Sequence, residues 1–190
     1  MKPPRTRWVA VAVTLAIVSG AGVVAFVVRA REQGPRSVSP GVVREPHFGT
    51  QVERGAYLFN NMGCVACHGA AGHGGVVNPN YARDTVPALD VIAEQLALES
   101  PEDAHAVVDM INHGQDPVHA QAPSNFEGWD LFVPRFRDLI VFVQNGSTAA
   151  KRDPNGPVPP LQMPSWRARL RPDAIRAIMA YMITRYDWNG

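Results

Sequence analysis

The sequence predicts an all-α protein behind an N-terminal transmembrane helix, and three features carry that reading. An uncharged run of 21 residues covers Trp8–Val28. Further along, apolar residues recur at the 3.6-residue spacing of helices, and no strand alternation is sustained. Prolines and glycines, 17 and 16 in number, punctuate the stretches between.

A chain of 190 residues is long enough for one domain of ordinary size plus an appendage. Its 46% hydrophobic content argues against disorder throughout. The formal charge of +1 averages unlike parts, because Lys2, Arg5, Arg7, Arg29 and Arg31 stand in the first 31 residues without a single acid. Residues 32–190 keep 13 basic and 17 acidic side chains, a net of −4 that excludes a basic nucleic-acid-binding protein. With only Cys64 and Cys67, a disulfide-stapled scaffold is excluded as well.

Three parts follow in order: an anchor over 1–31, a linker over 32–50 and a folded domain over 51–190. As a helix, Trp8–Val28 would cover roughly 31 Å, close to the hydrocarbon thickness of a bilayer. A cleaved signal has a shorter apolar core, and cleavage near Ser19-Gly20-Ala21 would leave the apolar stretch Val23–Val28 as a new terminus, so an uncleaved single-pass anchor is preferred. The basic residues on its two sides nearly balance and leave its orientation open. Pro35, Pro40 and Pro46 mark 32–50 as a tether. From Val52, the residues Ala56, Leu58, Phe59 and Met62 form one helical face that should stop near Cys64. A glycine-rich loop, Gly69–Asn80, comes next. Ala88–Leu98 and Pro101–Asn112 read as helices, the second opened by Pro101 and closed before Gly114. Residues 115–130 read as irregular, Pro134–Gln144 as a helix ending at Asn145-Gly146, and Lys151–Pro160 as a loop. The last helix is expected over Arg171–Trp188, where Ile175, Ile178, Met179, Met182 and Ile183 keep one stripe.

Cys64-Val65-Ala66-Cys67-His68 is a C-x-x-C-H sequence, the pattern of c-type haem attachment. Two thiols three residues apart on a helical turn face the same way and can add to the two vinyl groups of one porphyrin, while the adjacent imidazole is carried beneath the iron. A dithiol redox pair would want a βαβ setting, and a zinc site would need further ligands at closed spacings. The motif therefore predicts one covalent haem c, with His68 as the proximal ligand. For the sixth ligand, Met163 stands in a proline-bounded loop just before the last helix, whereas Met110, Met179 and Met182 lie on helical apolar stripes and Met62 adjoins the motif. His113 and His119 are the alternatives. His73 reads as a loop residue and His47 as part of the tether.

On these residues, 52–188 resembles a mono-haem class I cytochrome c. Gly55, Tyr57 and Phe59 precede Cys64 as the glycine and aromatics of that family's first helix do, Leu161-Gln162-Met163-Pro164 resembles its axial-ligand loop, and Ala180-Tyr181 lies in what resembles its last helix. The resemblance implies the class I cytochrome c fold, with a close crossing of the first and last helices that sets Gly55 against Tyr181. It also implies a proline carbonyl that holds the proximal imidazole, a role that falls to Pro87 with Pro79 competing. Trp166 is assigned either an indole N–H for a haem propionate or a packing role under the ligand loop. Between His68 and Met163 the chain is longer than in compact members, so an insertion is placed within 101–150.

Ten acids and no Lys or Arg lie in 84–134, against nine basic and four acidic residues in 135–190, a charge of −10 beside +5. Arg167, Arg169 and Arg171 put positive charge near the ligand loop, where an acidic partner could dock, with the acidic insertion facing elsewhere. The expected function is one-electron transfer in a membrane respiratory chain, by an electron-transfer protein rather than an enzyme. It would act as a carrier between quinol-oxidising and terminal-oxidase complexes or as a fixed subunit, such as the mono-haem cytochrome of alternative complex III. The insertion favours the fixed subunit, since irregular surface suits packing against neighbours. Partners would be the membrane and redox proteins, with no nucleic acid, and the haem domain would lie on the periplasmic or other extracytoplasmic side of the cell membrane. A haem enzyme or gas sensor with an open sixth position is the alternative.

Overall fold

A computed structural model of the protein describes residues 45–189, so the predicted anchor Trp8–Val28 and most of the linker lie outside the described residues. Among the described residues no helix is long and apolar enough to cross a membrane. They fold as helices α1 (Gln51–Asn61), α2 (Cys64–His68), α3 (Ile92–Gln95), α4 (Pro101–Asn112), α5 (Trp129–Asn145) and α6 (Pro172–Ile183), with three isolated bridges and no extended strand among them.

Helix α1 starts where its capping chemistry dictates. Thr50 Oγ1 accepts from Glu53 N at 3.1 Å while Glu53 Oε2 accepts from Thr50 N at 3.1 Å, satisfying two donors that the first turn leaves free. Phe48 rests on Tyr57, ring centroids 5.2 Å apart, so the last linker residues join the fold. Leu58 and Phe59 are buried against α6, where Ala177 and Ala180 are equally buried. The crossing is closest at Gly55: a Cβ there would stand 1.9 Å from the Ala177 carbonyl oxygen, so only glycine fits. Tyr181, the expected partner of Gly55, sits one turn further along and packs its ring on Phe59, 5.9 Å between centroids.

Three helices depart from the predicted bounds. Ala88–Leu98 was expected as one helix, yet only Ile92–Gln95 is helical. Before it, Val86 N donates to Val76 O and Leu89 N to Gly72 O, which holds the backbone against the glycine-rich loop, and after it Ala97 turns left-handed at φ +57°. Helix α5 begins at Trp129, ahead of Pro134, the residue expected to open it. An internal proline costs about 3 kcal/mol. Trp129, Phe132 and Phe136 offset that by burial worth about 1.5–3 kcal/mol each, and neighbouring rings from Phe126 to Phe136 lie 5.2–5.5 Å apart. The last helix stops at Ile183, before the expected Trp188, and Tyr186 turns aside to donate its hydroxyl to Glu94 Oε1 at 2.8 Å.

The predicted insertion is largely helical. Ala104, Val107 and Ile111 of α4 and Phe132, Phe136 and Ile140 of α5 belong to the same core as α1 and α6. Gln51 N donates to Asn112 Oδ1 at 2.9 Å, which ties the start of α1 to the end of α4. The two helices of the inserted length are thus framework, sharing one core with α1 and α6.

Candidate functional site

Cys64, Cys67 and His68 all project from α2, a helix of five residues between Gly63 and Gly69. His68 Nδ1 lies 3.0 Å from the Pro87 carbonyl oxygen. A ring nitrogen facing a carbonyl must carry the proton, so this bond selects the Nδ1–H tautomer and leaves the Nε2 lone pair for a metal. Of the two prolines considered, it is Pro87 whose carbonyl meets the His68 ring. Burial pulls the His68 pKa below its ordinary value, against the opposing Pro87 bond, and so favours the neutral ring that a metal ligand needs. Burial also pushes the Cys64 thiol up to about 11, opposed by its own backbone hydrogen bond and aided by the charge of Cys67. A thiol held so high is a poor redox nucleophile, which tells against the dithiol alternative. No group of three or more His, Cys, Asp or Glu suited to a metal ion occurs among the described residues, so the zinc reading has no ligand set there.

Met163, the expected sixth ligand, stands in a loop fastened to the end of α5. Ser147 and Met163 exchange both backbone bonds, Met163 N to Ser147 O at 3.0 Å and Ser147 N to Met163 O at 2.9 Å. Gly146 makes that approach possible: its φ is +71°, and a Cβ there would stand 2.4 Å from the Met163 carbonyl oxygen. Ser165 Oγ donates to Gln144 O at 2.6 Å and Trp166 N to Val143 O at 3.3 Å. Met163 packs on the common core, as Cys64 does. It also lines an open cleft of about 840 Å³ with Ser147, Thr148, Val158 and Gln162, whose walls do not include the cysteines or His68.

Trp166 is buried, yet its indole Nε1 has no hydrogen-bond partner, the only buried side-chain nitrogen or oxygen so placed among the described residues. The Arg169 guanidinium lies over the same ring, 5.9 Å from its centroid. An orphaned buried donor costs about 1–3 kcal/mol, so the protein carries a donor that an acidic group brought in from outside would satisfy. Together with an imidazole fixed for ligation beside two cysteines, this fits a prosthetic group that is held by thioethers and bears carboxylates.

The other candidates stand in different settings. His113 Nδ1 is 2.8 Å from Asp109 O, His119 Nδ1 is 3.3 Å from Asp116 Oδ2 and His73 Nδ1 is 2.7 Å from Asp90 Oδ2, all three rings being exposed. Met179 and Met182 are buried in the core. A residue that sequence reasoning passed over is Asn78, the one buried polar side chain among the described residues, which joins the loop after His68 to the loop carrying Met163. Its signal was slight: an Asn-Pro pair, which ordinarily marks only a turn.

A family model described as Cytochrome c matches residues 52–185 of the chain. No curated protein matches, and no solved structure matches.

Proposed function

Since the chain belongs to the cytochrome c family and carries one covalently bound c-type haem for electron transfer, we propose that it passes single electrons in a membrane respiratory chain, its haem held by Cys64, Cys67, His68 and Met163. The observation that carries the reading is the bond from His68 Nδ1 to Pro87, which aims the imidazole from the same helix that bears both cysteines. When bound, the haem supplies a reversible one-electron iron couple.

The residues divide the remaining work. Cys64 and Cys67 offer the two thiols for thioether attachment. Pro87 fixes the tautomer and direction of the His68 ring and raises its donor strength. Met163 would hold the iron through a soft thioether, which favours the reduced state. Trp166 gives its free Nε1–H to a propionate, the role its orphaned donor supports. Trp8–Val28 anchors the domain to the cell membrane with residues 32–190 outside the cytoplasm, where c-type attachment takes place.

The partners are redox proteins, and the chain serves as a tethered carrier between quinol-oxidising and oxidase complexes or as the mono-haem subunit of one such complex. Gentle detergent extraction, native electrophoresis and haem staining test this. A haem band in a large assembly identifies the subunit, and a band near the monomer identifies the carrier. Rapid carbon monoxide binding by the reduced protein in either form would contradict electron transfer as its sole role.

A further inference from the structure

Asn78 is 1% exposed, and both ends of its amide are used on one residue: Nδ2 donates to Leu161 O at 2.9 Å and Oδ1 accepts from Leu161 N at 3.0 Å. Burying an amide is costly unless it is bonded, and this pairing satisfies both partners as a rung of sheet would. Asn78 is itself held by backbone, its N–H on Asp84 O at 2.7 Å and its carbonyl receiving Tyr81 N at 3.0 Å. Leu161 stands two residues before Met163. Between them Gln162 accepts from Ala149 N and donates to Pro159 O, each at 2.7 Å, and Met163 itself is paired with Ser147. The backbone of 161–163 is therefore clamped from both sides, and the clamp on the side of the haem motif is a side chain.

Methionine has three rotatable bonds and little rotameric preference, so where its sulfur rests depends on how firmly its backbone is held. We propose that Asn78 is a positioning residue for the sixth ligand: by fixing the Leu161 peptide it holds Met163 against displacement, and so couples the loop that follows His68 to the loop that closes the iron. The proposal rests on Met163 being that ligand.

The test is imidazole competition on the oxidised holoprotein, followed by loss of the near-infrared sulfur-to-iron band. Asn78→Ala, and Asn78→Leu to keep the volume, should let imidazole displace the thioether at about tenfold lower concentration, the scale of one buried bonded pair. In a Met163→Ala background the same changes should leave imidazole affinity within about twofold, because the ligand through which Asn78 acts is gone. By reciprocity the wild-type chain gives a second readout: saturating imidazole should speed amide exchange at Leu161 by a similar factor. That measurement needs no variant to fold. Unchanged imidazole affinity in the Asn78 variants with a lowered melting temperature, or unchanged Leu161 exchange, would overturn the proposal and leave Asn78 a structural residue. A Met163→Ala spectrum identical to wild type would instead remove the ligand assignment beneath it.

Discussion

At Trp166 one atom separates two accounts of a residue. If the indole only packs, Trp166→Phe costs the same with and without haem, the lost ring volume being partly offset by removal of an unpaired donor. If Nε1 serves a propionate, the same change lowers the melting temperature of the holoprotein by several degrees more than that of the haem-free chain, the effect of about 1 kcal/mol, and shifts its potential. Paired melts and a redox titration decide, and equal behaviour in both forms would make Trp166 a packing residue. The sequence offered both roles with no means of choosing, since a donor's isolation is a property of its neighbours in space. Pro87 was legible only through the resemblance, because two prolines competed and a carbonyl's direction cannot be read from composition. Cys64, Cys67 and His68 were legible at once, their chemistry being set by spacing along a single short helix.

Among the elements, the crossing of α1 and α6 is the least tolerant contact. Gly55→Ala places a methyl group on the Ala177 carbonyl, and a rigid helix backbone cannot yield as a side chain would. A loss of about 3 kcal/mol, the upper range for overpacking, is expected in denaturant titration of the holoprotein; a loss under about 0.5 kcal/mol would mean that the helices separate easily. The same two helices share an ion pair, Arg54 Nη1 to Asp173 Oδ2 at 3.0 Å. Burial raises the Asp173 pKa, but the Arg54 hydrogen bond and charge outweigh it and Arg171 adds to them, so the carboxyl stays below its ordinary value. A folded-state pKa below the unfolded one stabilises at neutral pH and is lost as pH falls through it. Asp173→Asn should therefore cost less than about 1 kcal/mol at pH 7, discounted for exposure, and its deficit should shrink below about pH 4. A deficit that stays constant from pH 7 to pH 3 would assign the effect to lost packing. Helices α4 and α6 were readable from Pro101 and Pro172 at their first positions, whereas α5 was not: Pro134 looks like a beginning until the buried rings on both sides of it are seen.

On the scale of the whole molecule, the acidic and basic stretches meet rather than standing apart. Asp84 pairs with Arg152, and Asp116 Oδ2 lies 2.9 Å from Arg176 Nη1, so acids of 84–134 are partly neutralised by the segment that follows. Charge counted along the chain overstated the separation because ion pairs are made across it. Near the ligand loop, Arg167 is bonded to Asn145 Oδ1 at 2.7 Å and Arg171 stands 88% exposed beside Asp173. The anchor proposal has its own check: carbonate washing should leave the protein in the membrane with Met1 still at its terminus, while a mature terminus near Gly22 would identify a cleaved signal.

The central claim is that this chain closes its haem iron with His68 and Met163, which makes it an electron carrier rather than a binder of small ligands. The most direct measurement is the absorption of the oxidised holoprotein in the near infrared, taken on wild type and on Met163→Ala with the haem still attached after acid-acetone. A thioether on iron gives a weak sulfur-to-iron band there, so the account predicts the band in wild type and its loss in the variant. A wild-type protein without the band, or a variant that keeps it, would contradict the assignment of Met163 and reopen the reading of an open sixth position.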